Sequence, residues 1–173
     1  QRKLFSTVET LLPQVERLQK LRAASRYASA NVIKPEPKVD AGLIQSVREA
    51  LSQYWGGPKL INSPLLRLKV VERALRDHDG NAANALRAVL HDAIERVKPE
   101  GQRRFTAEWI IYNILEMKFM QGRRVREVAM RLSVSEADLY RKQRVAIEQV
   151  ARMIATMERE IEGVDEDKYT IAG

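Results

Sequence analysis

One short stretch of the chain, residues 137 to 144, carries side chains that suit contact with a nucleic acid. Tyr140, Arg141 and Arg144 follow Ala137 at spacings of three, four and seven residues, which places all four on one face of a helix. Arginine can bind the edge of guanine with two hydrogen bonds, and tyrosine can meet a phosphate or a thymine methyl group. The pattern therefore predicts contact with the major groove of DNA, and the alternative interpretation is a solvated helix face.

Three arginines upstream of this stretch suit a different role. Arg123, Arg124 and Arg126 cluster at the beginning of a short segment with apolar residues at helical spacing. Contacts to phosphates fix the position of a protein on DNA without reading its sequence. We therefore expect these arginines to position the protein and not to set its sequence preference.

The elements that would hold these side chains are three predicted helices. Thr106 and the apolar run after it mark the beginning of the first, and Gly122 stands where a left-handed residue would end it. The second, Val125 to Leu132, is too short to be stable without neighbours. In the third, Ser135 is a favoured N-cap, and Asp138 stands where its carboxylate can reach back and oppose the helix dipole.

Apolar spacing also predicts how these helices pack. Ala129 is small enough to allow close approach of the third helix, and Val134 would fill the corner between the second and third. The predicted inward side chains are Ile110, Ile111, Ile114, Leu115 and Met117, then Val125, Val128, Ala129 and Leu132, then Leu139, Ala146, Ile147, Val150, Ile154 and Met157.

Two of these segments resemble region 4 of bacterial sigma-70-type RNA polymerase sigma factors and the related helix-turn-helix regulators. Residues 115–122 are similar to that family's hydrophobic helix ending in glycine, and residues 127–135 are similar to its helix-turn segment, without insertion or deletion. The resemblance covers residues 106 to about 155 and implies a recognition helix beginning at Glu136. It departs at Ser133, where the family commonly has glycine and a left-handed conformation costs serine more.

The resemblance also implies a set of DNA contacts on both sides of Leu139. Carried over by position, residues 135–138 and 140–144 fall where that family contacts bases and phosphates. No segment resembles the promoter-melting, polymerase-binding region of a complete sigma factor, so the implied role is a regulator or a DNA-binding subunit. The predicted DNA-binding residues are Arg123, Arg124, Arg126, Ser135, Glu136, Ala137, Tyr140, Arg141, Lys142 and Arg144.

The rest of the chain divides at segments that contain proline or glycine. Residues 1–39 are predicted as an amphipathic helix and a linker, 40–100 as a small helical bundle, 101–160 as the helix-turn-helix, and 161–173 as an acidic tail. The predicted bundle helices run from a cap at Asp40 to about Trp55, from Ser63-Pro64 to about Arg76, and from the Asp79-Gly80-Asn81 turn to Val97.

Composition favours an all-α protein with a polyanionic partner. Alternating β-branched runs are absent, and 30 lysines and arginines against 23 acidic residues give a net charge of +7. Double-stranded DNA is the partner we expect. No apolar run reaches the roughly 20 residues that a membrane-spanning helix needs, so no membrane partner is predicted. The chain contains no cysteine, as is common in the reducing cytoplasm, where we expect this protein.

The sequence gives no pattern typical of an enzyme. His78-Asp79 and His91-Asp92 suggest metal ligands, but the two histidines lie thirteen residues apart without a third ligand cluster, so both pairs are expected at helix ends and on the surface. A phosphate-binding GxxxxGK loop, a dinucleotide fingerprint and a nucleophile elbow are also absent. We therefore predict no catalytic residue, no metal site and no cofactor.

Three aromatic residues and the N-terminal helix leave further possibilities. Trp55, Trp109 and Tyr112 could form a surface for a partner, but they stand at helical spacing beside aliphatic residues, and we expect them in the core. The apolar stripe of the N-terminal helix suits docking on a second copy or another protein, or folding back.

Two hypotheses of function follow from these patterns. The first is a helix-turn-helix protein that places the helix from Glu136 in the major groove of DNA, as a transcription regulator or as the DNA-binding subunit of a larger assembly. The second is a protein-interaction adaptor with the same helical fold, which docks through the N-terminal helix while its basic face is merely solvated.

Overall fold

The computed structural model describes residues 39–171, and this part of the chain contains helices and turns without any strand. The predicted all-α fold class is thereby confirmed. The predicted N-terminal helix and the proline-containing segment after it, residues 1–38, lie outside the described residues. The described helices are α1 (Ala41–Ser52), α2 (Pro58–Ile61), α3 (Lys69–Asp77), α4 (Ala82–Val97), α5 (Ala107–Ile114), α6 (Val125–Leu132) and α7 (Glu136–Ile171), with a 3₁₀ turn at Pro64–Arg67 and a π-helical segment at Leu115–Met120.

Side-chain caps fix where three of these helices begin. Asp40, Asn81 and Thr106 stand immediately before α1, α4 and α5, and each accepts a hydrogen bond from the backbone N–H three residues further on. Such a bond supplies an acceptor to one of the N–H groups that have no partner within the helix. The predicted helix starts at Asp40 and Thr106, and the turn before α4, are confirmed.

The region between α1 and α3 differs from the prediction. α1 ends at Ser52, three residues before Trp55, and the short α2 and the 3₁₀ turn occupy a stretch predicted as a turn and a single helix. The prediction that Trp55 lies in the core is wrong, because its side chain stands beyond the end of the helix and is 65% exposed. Trp109 and Tyr112 are buried, as predicted.

α7 is the helix against which the others assemble. It runs for 36 residues, about 54 Å at 1.5 Å per residue, and it packs against α1, α3, α4 and α5. Ala146 and Ala151 are fully buried, and their small side chains allow close approach of the neighbouring helices.

One hydrophobic core extends across residue 100, the predicted boundary between the bundle and the helix-turn-helix. Leu90 and Ile94 of α4 belong to the same buried cluster as Trp109 of α5 and Ile147 of α7. Residues 161–171, predicted as part of an acidic tail, continue α7. The bundle therefore holds the helix that carries most of the predicted DNA contacts.

A carboxylate from α7 caps the N-terminus of α3. Glu158 accepts hydrogen bonds from the backbone N–H groups of Lys69 and Val70, both at 2.9 Å. No side chain at the N-cap position of α3, Leu68, makes this bond. The carboxylate thus supplies acceptors to two unpaired helix N–H groups and places a negative charge at the positive end of the helix dipole.

We predict that Glu158→Ala destabilises the protein. It leaves the two N–H groups without their charged acceptor, which we expect to lower the free energy of unfolding by about 1–3 kcal/mol. Glu158→Gln keeps one acceptor and should lose less. Equilibrium urea unfolding followed by circular dichroism measures both changes.

Glu162→Ala is the matched control on the same helix. Its carboxylate lies 3.9 Å from the Lys69 amine, and both side chains are about half exposed. Such a surface pair contributes roughly 0–1 kcal/mol. Equal losses in Glu158→Ala and Glu162→Ala would contradict the capping role.

Candidate functional site

A second, smaller cluster of buried side chains holds α6 in place. Leu139, at the beginning of α7, is fully buried among residues of α6 and of the helix formed by α5 and the π-helical segment. α6 has only eight residues, so these tertiary contacts are what stabilise it. The cluster contains Ile114, Met117, Val128, Ala129, Leu132 and Leu139, all of them predicted as inward-facing.

Left-handed residues end the π-helical segment and α6, the two elements immediately before α7. Gly122 follows the π-helical segment with φ +65°, as predicted for a C-cap glycine. Ser133 follows α6 with φ 55° and ψ 41°, the left-handed region expected there. The next residue, Val134, donates its N–H to the carbonyl of Ala129 at 3.0 Å. The left-handed residue and this hydrogen bond turn the chain sharply between α6 and α7. Serine adopts the left-handed conformation at a cost in free energy.

Ser135 caps α7, and Asp138 pairs with basic side chains one turn further on. The Ser135 hydroxyl accepts a hydrogen bond from the Asp138 backbone N–H at 3.1 Å, as predicted. The Asp138 carboxylate lies 3.6 Å from the Arg141 guanidinium and 3.7 Å from the Lys142 amine. It therefore offsets two of the predicted DNA-contacting charges.

The ten residues predicted to contact DNA lie on α6, on the turns beside it and on the first three turns of α7. Arg123 and Lys142 are half-buried, and the other eight are exposed. Arg123 is also engaged, because it donates hydrogen bonds to Gln121 and Glu127. The eight exposed residues are Arg124, Arg126, Ser135, Glu136, Ala137, Tyr140, Arg141 and Arg144.

Three of the exposed arginines carry charge that no described carboxylate offsets. Arg124, Arg126 and Arg144 form no ion pair with residues 39–171, whereas Arg123 pairs with Glu127 and Arg141 with Asp138. An unpaired guanidinium at the surface is available to an external anion without first giving up a protein partner.

A cavity of about 400 Å³ is lined by residues of α7, of the turn before α6 and of the chain after α1. Gly122 and Val125 line it on one side, and Tyr140 and Gln143 of α7 line it as well.

Gln143, one of the residues that line the cavity, has a buried acceptor atom that lacks a donor. The side-chain carbonyl of Gln143 is buried and accepts no hydrogen bond from a described residue. Tyr54 also lines the cavity, and burial raises the pKa of its hydroxyl, an effect that Arg87 opposes. The phenol therefore remains protonated and neutral near pH 7.

Sequence reasoning missed two exposed apolar residues beside the predicted contacts. Val145 on α7 is 46% exposed and Met130 on α6 is 75% exposed. Val145 follows Arg141 by four residues, so helical spacing alone could have placed it on the same face. Met130 carries no such signal, because an isolated methionine on a helix is usually inward-facing.

The histidine–aspartate pairs do not come together. His78 follows α3 and His91 lies on α4, where its ring is 3.8 Å from Asp92. Within residues 39–171, no group of three or more His, Asp and Glu side chains is arranged to hold a metal ion. A candidate membrane-spanning helix is not found in that range either.

Comparison with known proteins gives no relative from which to transfer a function. No protein-family model, curated protein or solved structure matches this chain.

We predict that Ser133→Gly stabilises the protein. The left-handed conformation costs a residue with a Cβ roughly 1–2 kcal/mol, and the greater freedom of glycine in the unfolded chain offsets part of the gain. We expect the free energy of unfolding, measured in urea, to rise by about 0.5–1 kcal/mol.

The same substitution in a right-handed helix serves as the control. Ser46 lies within α1, where Ser46→Gly should lower the free energy of unfolding by about 0.5 kcal/mol. A lower free energy of unfolding in both variants would contradict the claim that the backbone is strained at Ser133.

Proposed function

We propose that this protein binds double-stranded DNA as a helix-turn-helix, with α6 and α7 as its two helices and the N-terminal turns of α7 in the major groove. The observation that carries the proposal is that three of the predicted contact residues, Arg124 just before α6, Arg126 in α6 and Arg144 in α7, are exposed and form no ion pair within residues 39–171. Phosphates are the abundant anions that such guanidinium groups bind with two hydrogen bonds each.

The ion pairs within the protein support different roles in DNA binding for the different basic side chains. Arg124 and Arg126 stand at the N-terminus of α6, where the backbone N–H groups and the helix dipole also favour an anion. We propose that both contact phosphates. Arg123 and Lys142 are already paired within the protein, so they contribute less to binding.

Direct reading of bases is assigned to the exposed face of α7. Ala137, Tyr140 and Arg144 are exposed there, and Val145 adds an apolar side chain next to Arg144. An arginine can bind guanine with two hydrogen bonds, and an apolar side chain can contact the methyl group of thymine. The resemblance of residues 106 to about 155 to sigma region 4 supports the same docking, and a role as regulator or DNA-binding subunit.

We predict that the double variant Arg124→Ala/Arg126→Ala weakens binding to all DNA sequences alike. Removing two phosphate contacts should reduce the magnitude of the slope of log K against log salt by about two. Fluorescence anisotropy with a labelled duplex at several salt concentrations measures the slope.

The matched control removes two exposed arginines elsewhere. Arg73 and Arg76 lie on α3 and are exposed, so Arg73→Ala/Arg76→Ala should leave the slope unchanged. A flat salt response of the unmodified protein, or equal slopes in both double variants, would contradict the proposal.

We predict that Arg144→Ala changes which sequences are preferred. The unmodified protein should select a common motif from a random duplex pool. At one base pair of that motif, the variant should lose about 1–3 kcal/mol of its preference for the selected base over the other three. Arg141→Ala should lose less, because Asp138 already holds that guanidinium. Selection with the unmodified protein and with each variant, followed by sequencing, shows whether Arg144→Ala loses more base preference than Arg141→Ala.

The adaptor hypothesis gives the opposite result in these experiments. It predicts that no sequence is enriched in the selection. It also predicts that removal of residues 1–39 abolishes self-association or partner binding, which light scattering on the full and shortened chains would detect. Enrichment of one motif, lost in Arg144→Ala, rules against it.

A further inference from the structure

Trp55 is exposed, yet three contacts hold its side chain in place. It is 65% exposed, and its indole N–H donates to the Met120 carbonyl at 3.0 Å. The Tyr54 ring lies nearly perpendicular to the indole with 5.1 Å between ring centroids, and the Arg87 guanidinium lies 5.5 Å from the indole centroid. A large aromatic surface that is open to solvent and already ordered loses little conformational entropy when a ligand covers it.

The cavity that Trp55 lines is rich in aromatic side chains. Its volume, about 400 Å³, lies within the range of ligand pockets in proteins. Tyr54 and Phe119 also line it and are buried, whereas Tyr140 of α7 lines it and is 50% exposed. Trp55 and Tyr140 are therefore the aromatic residues of the lining that a ligand in solution reaches most readily. Flat rings stack favourably on such side chains.

The charges near the cavity favour an anion. Lys118 is the only charged residue among those that line it. Neither Lys118 nor Arg87 forms an ion pair with a carboxylate of residues 39–171. Two cations without carboxylate partners, beside an exposed aromatic surface, match a ligand that combines a flat ring with a negative charge.

An unpaired nucleotide has both features. Bases of any type stack on aromatic side chains, and cations beside them bind the phosphates of the strand. A base inside a duplex is already stacked between its neighbours, so only an unpaired base can lie flat against a protein ring. The chemistry of the cavity therefore suits a single strand better than it suits a duplex.

We propose that this cavity binds one unpaired base of a DNA strand, which stacks on the Trp55 indole and contacts the Tyr140 ring. A phosphate of the same strand pairs with the Lys118 amine. The choice of DNA as the nucleic acid rests on the proposed DNA-binding function. The stacked base itself does not require that α7 enter a major groove.

Calorimetric titration of the full chain with two single-stranded DNA pentamers tests the stacked base. One pentamer carries thymine at its central position and abasic deoxyribose at the other four, and the second is abasic throughout, so both have the same phosphates. We expect the thymine pentamer to bind about tenfold more tightly. It should also quench the fluorescence of Trp55, which is exposed, whereas Trp109 is buried. Equal affinities, or no binding of either pentamer, overturn the proposal.

Substitution of either exposed ring should remove the preference for the base. Trp55→Leu and Tyr140→Leu should bind the two pentamers with similar affinity, and Trp55→Phe, which keeps a ring, should retain part of the preference. Tyr169→Leu is the matched control, because Tyr169 is 83% exposed near the other end of α7, and it should keep the tenfold difference. Thermal unfolding shows whether each variant is folded. A tenfold difference that persists in the folded leucine variants of Trp55 and Tyr140 overturns the proposal.

Lys118→Met tests the phosphate contact separately. Loss of one phosphate contact should weaken both pentamers by the same factor and leave the preference for thymine unchanged. Lys168→Met, at an exposed position far along α7, is the matched control and should bind both pentamers as the unmodified protein does. Equal affinities in Lys118→Met and Lys168→Met contradict the assignment of the phosphate to Lys118.

Further outcomes separate the cavity from the duplex site. If the thymine pentamer binds as expected and a duplex does not bind at all, the proposed major-groove contact fails and the cavity assignment stands. If a duplex binds but the two pentamers bind equally, the cavity assignment fails alone. A ribose pentamer of the same design that binds more tightly, or free thymidine 5′-phosphate that binds equally tightly, contradicts the assignment to a DNA strand.

Discussion

Burial of one face of α7 is the interaction on which the rest of the structure depends. Ile147, Val150 and Ile154 are almost inaccessible to solvent, and each such side chain contributes about 1.5–3 kcal/mol when it is fully buried. α1, α3, α4 and α5 all contact this helix, and Glu158 fixes the beginning of α3 from it. α6 in turn depends on Leu139, at the N-terminal end of α7. The candidate site is therefore built on the most constrained element of the described chain.

Carboxylates divide the basic side chains around the site into two groups. Glu127 and Asp138 hold Arg123, Arg131, Arg141 and Lys142 close to the protein. These exposed pairs contribute little to stability. An incoming phosphate must compete with them for the same guanidinium or amine, at a cost equal to the small free energy of the pair. Charge counted along the sequence therefore does not distinguish the paired cations from the unpaired ones.

Much of the fold could be predicted from the sequence, because it depends on local chemistry and helical period. Asp40 and Thr106 cap helices, Gly122 and Ser133 adopt the left-handed conformation, and the apolar stripe of α7 is buried as expected. The site face of α7 follows from the same period. The ion pairs on this face could not be predicted in the same way, because the distance from the Asp138 carboxylate to the Arg141 guanidinium depends on side-chain rotamers as well as on helical spacing. The continuity of the core across residue 100 results from tertiary packing, which no local signal encodes.

Trp55 and the cavity share one cause that the sequence could not reveal. Once α1 ends at Ser52, the following residues turn across the end of the π-helical segment, and the Trp55 indole donates to the carbonyl of Met120 at 3.0 Å. The last carbonyls of a helix lack donors within it, so this bond fixes the loop at a surface position. Residues of this loop line the cavity together with Tyr140 and Gln143. The spacing of Trp55 is typical of a core residue. Its indole instead joins the loop after α1 to the end of the π-helical segment, which leads into α6.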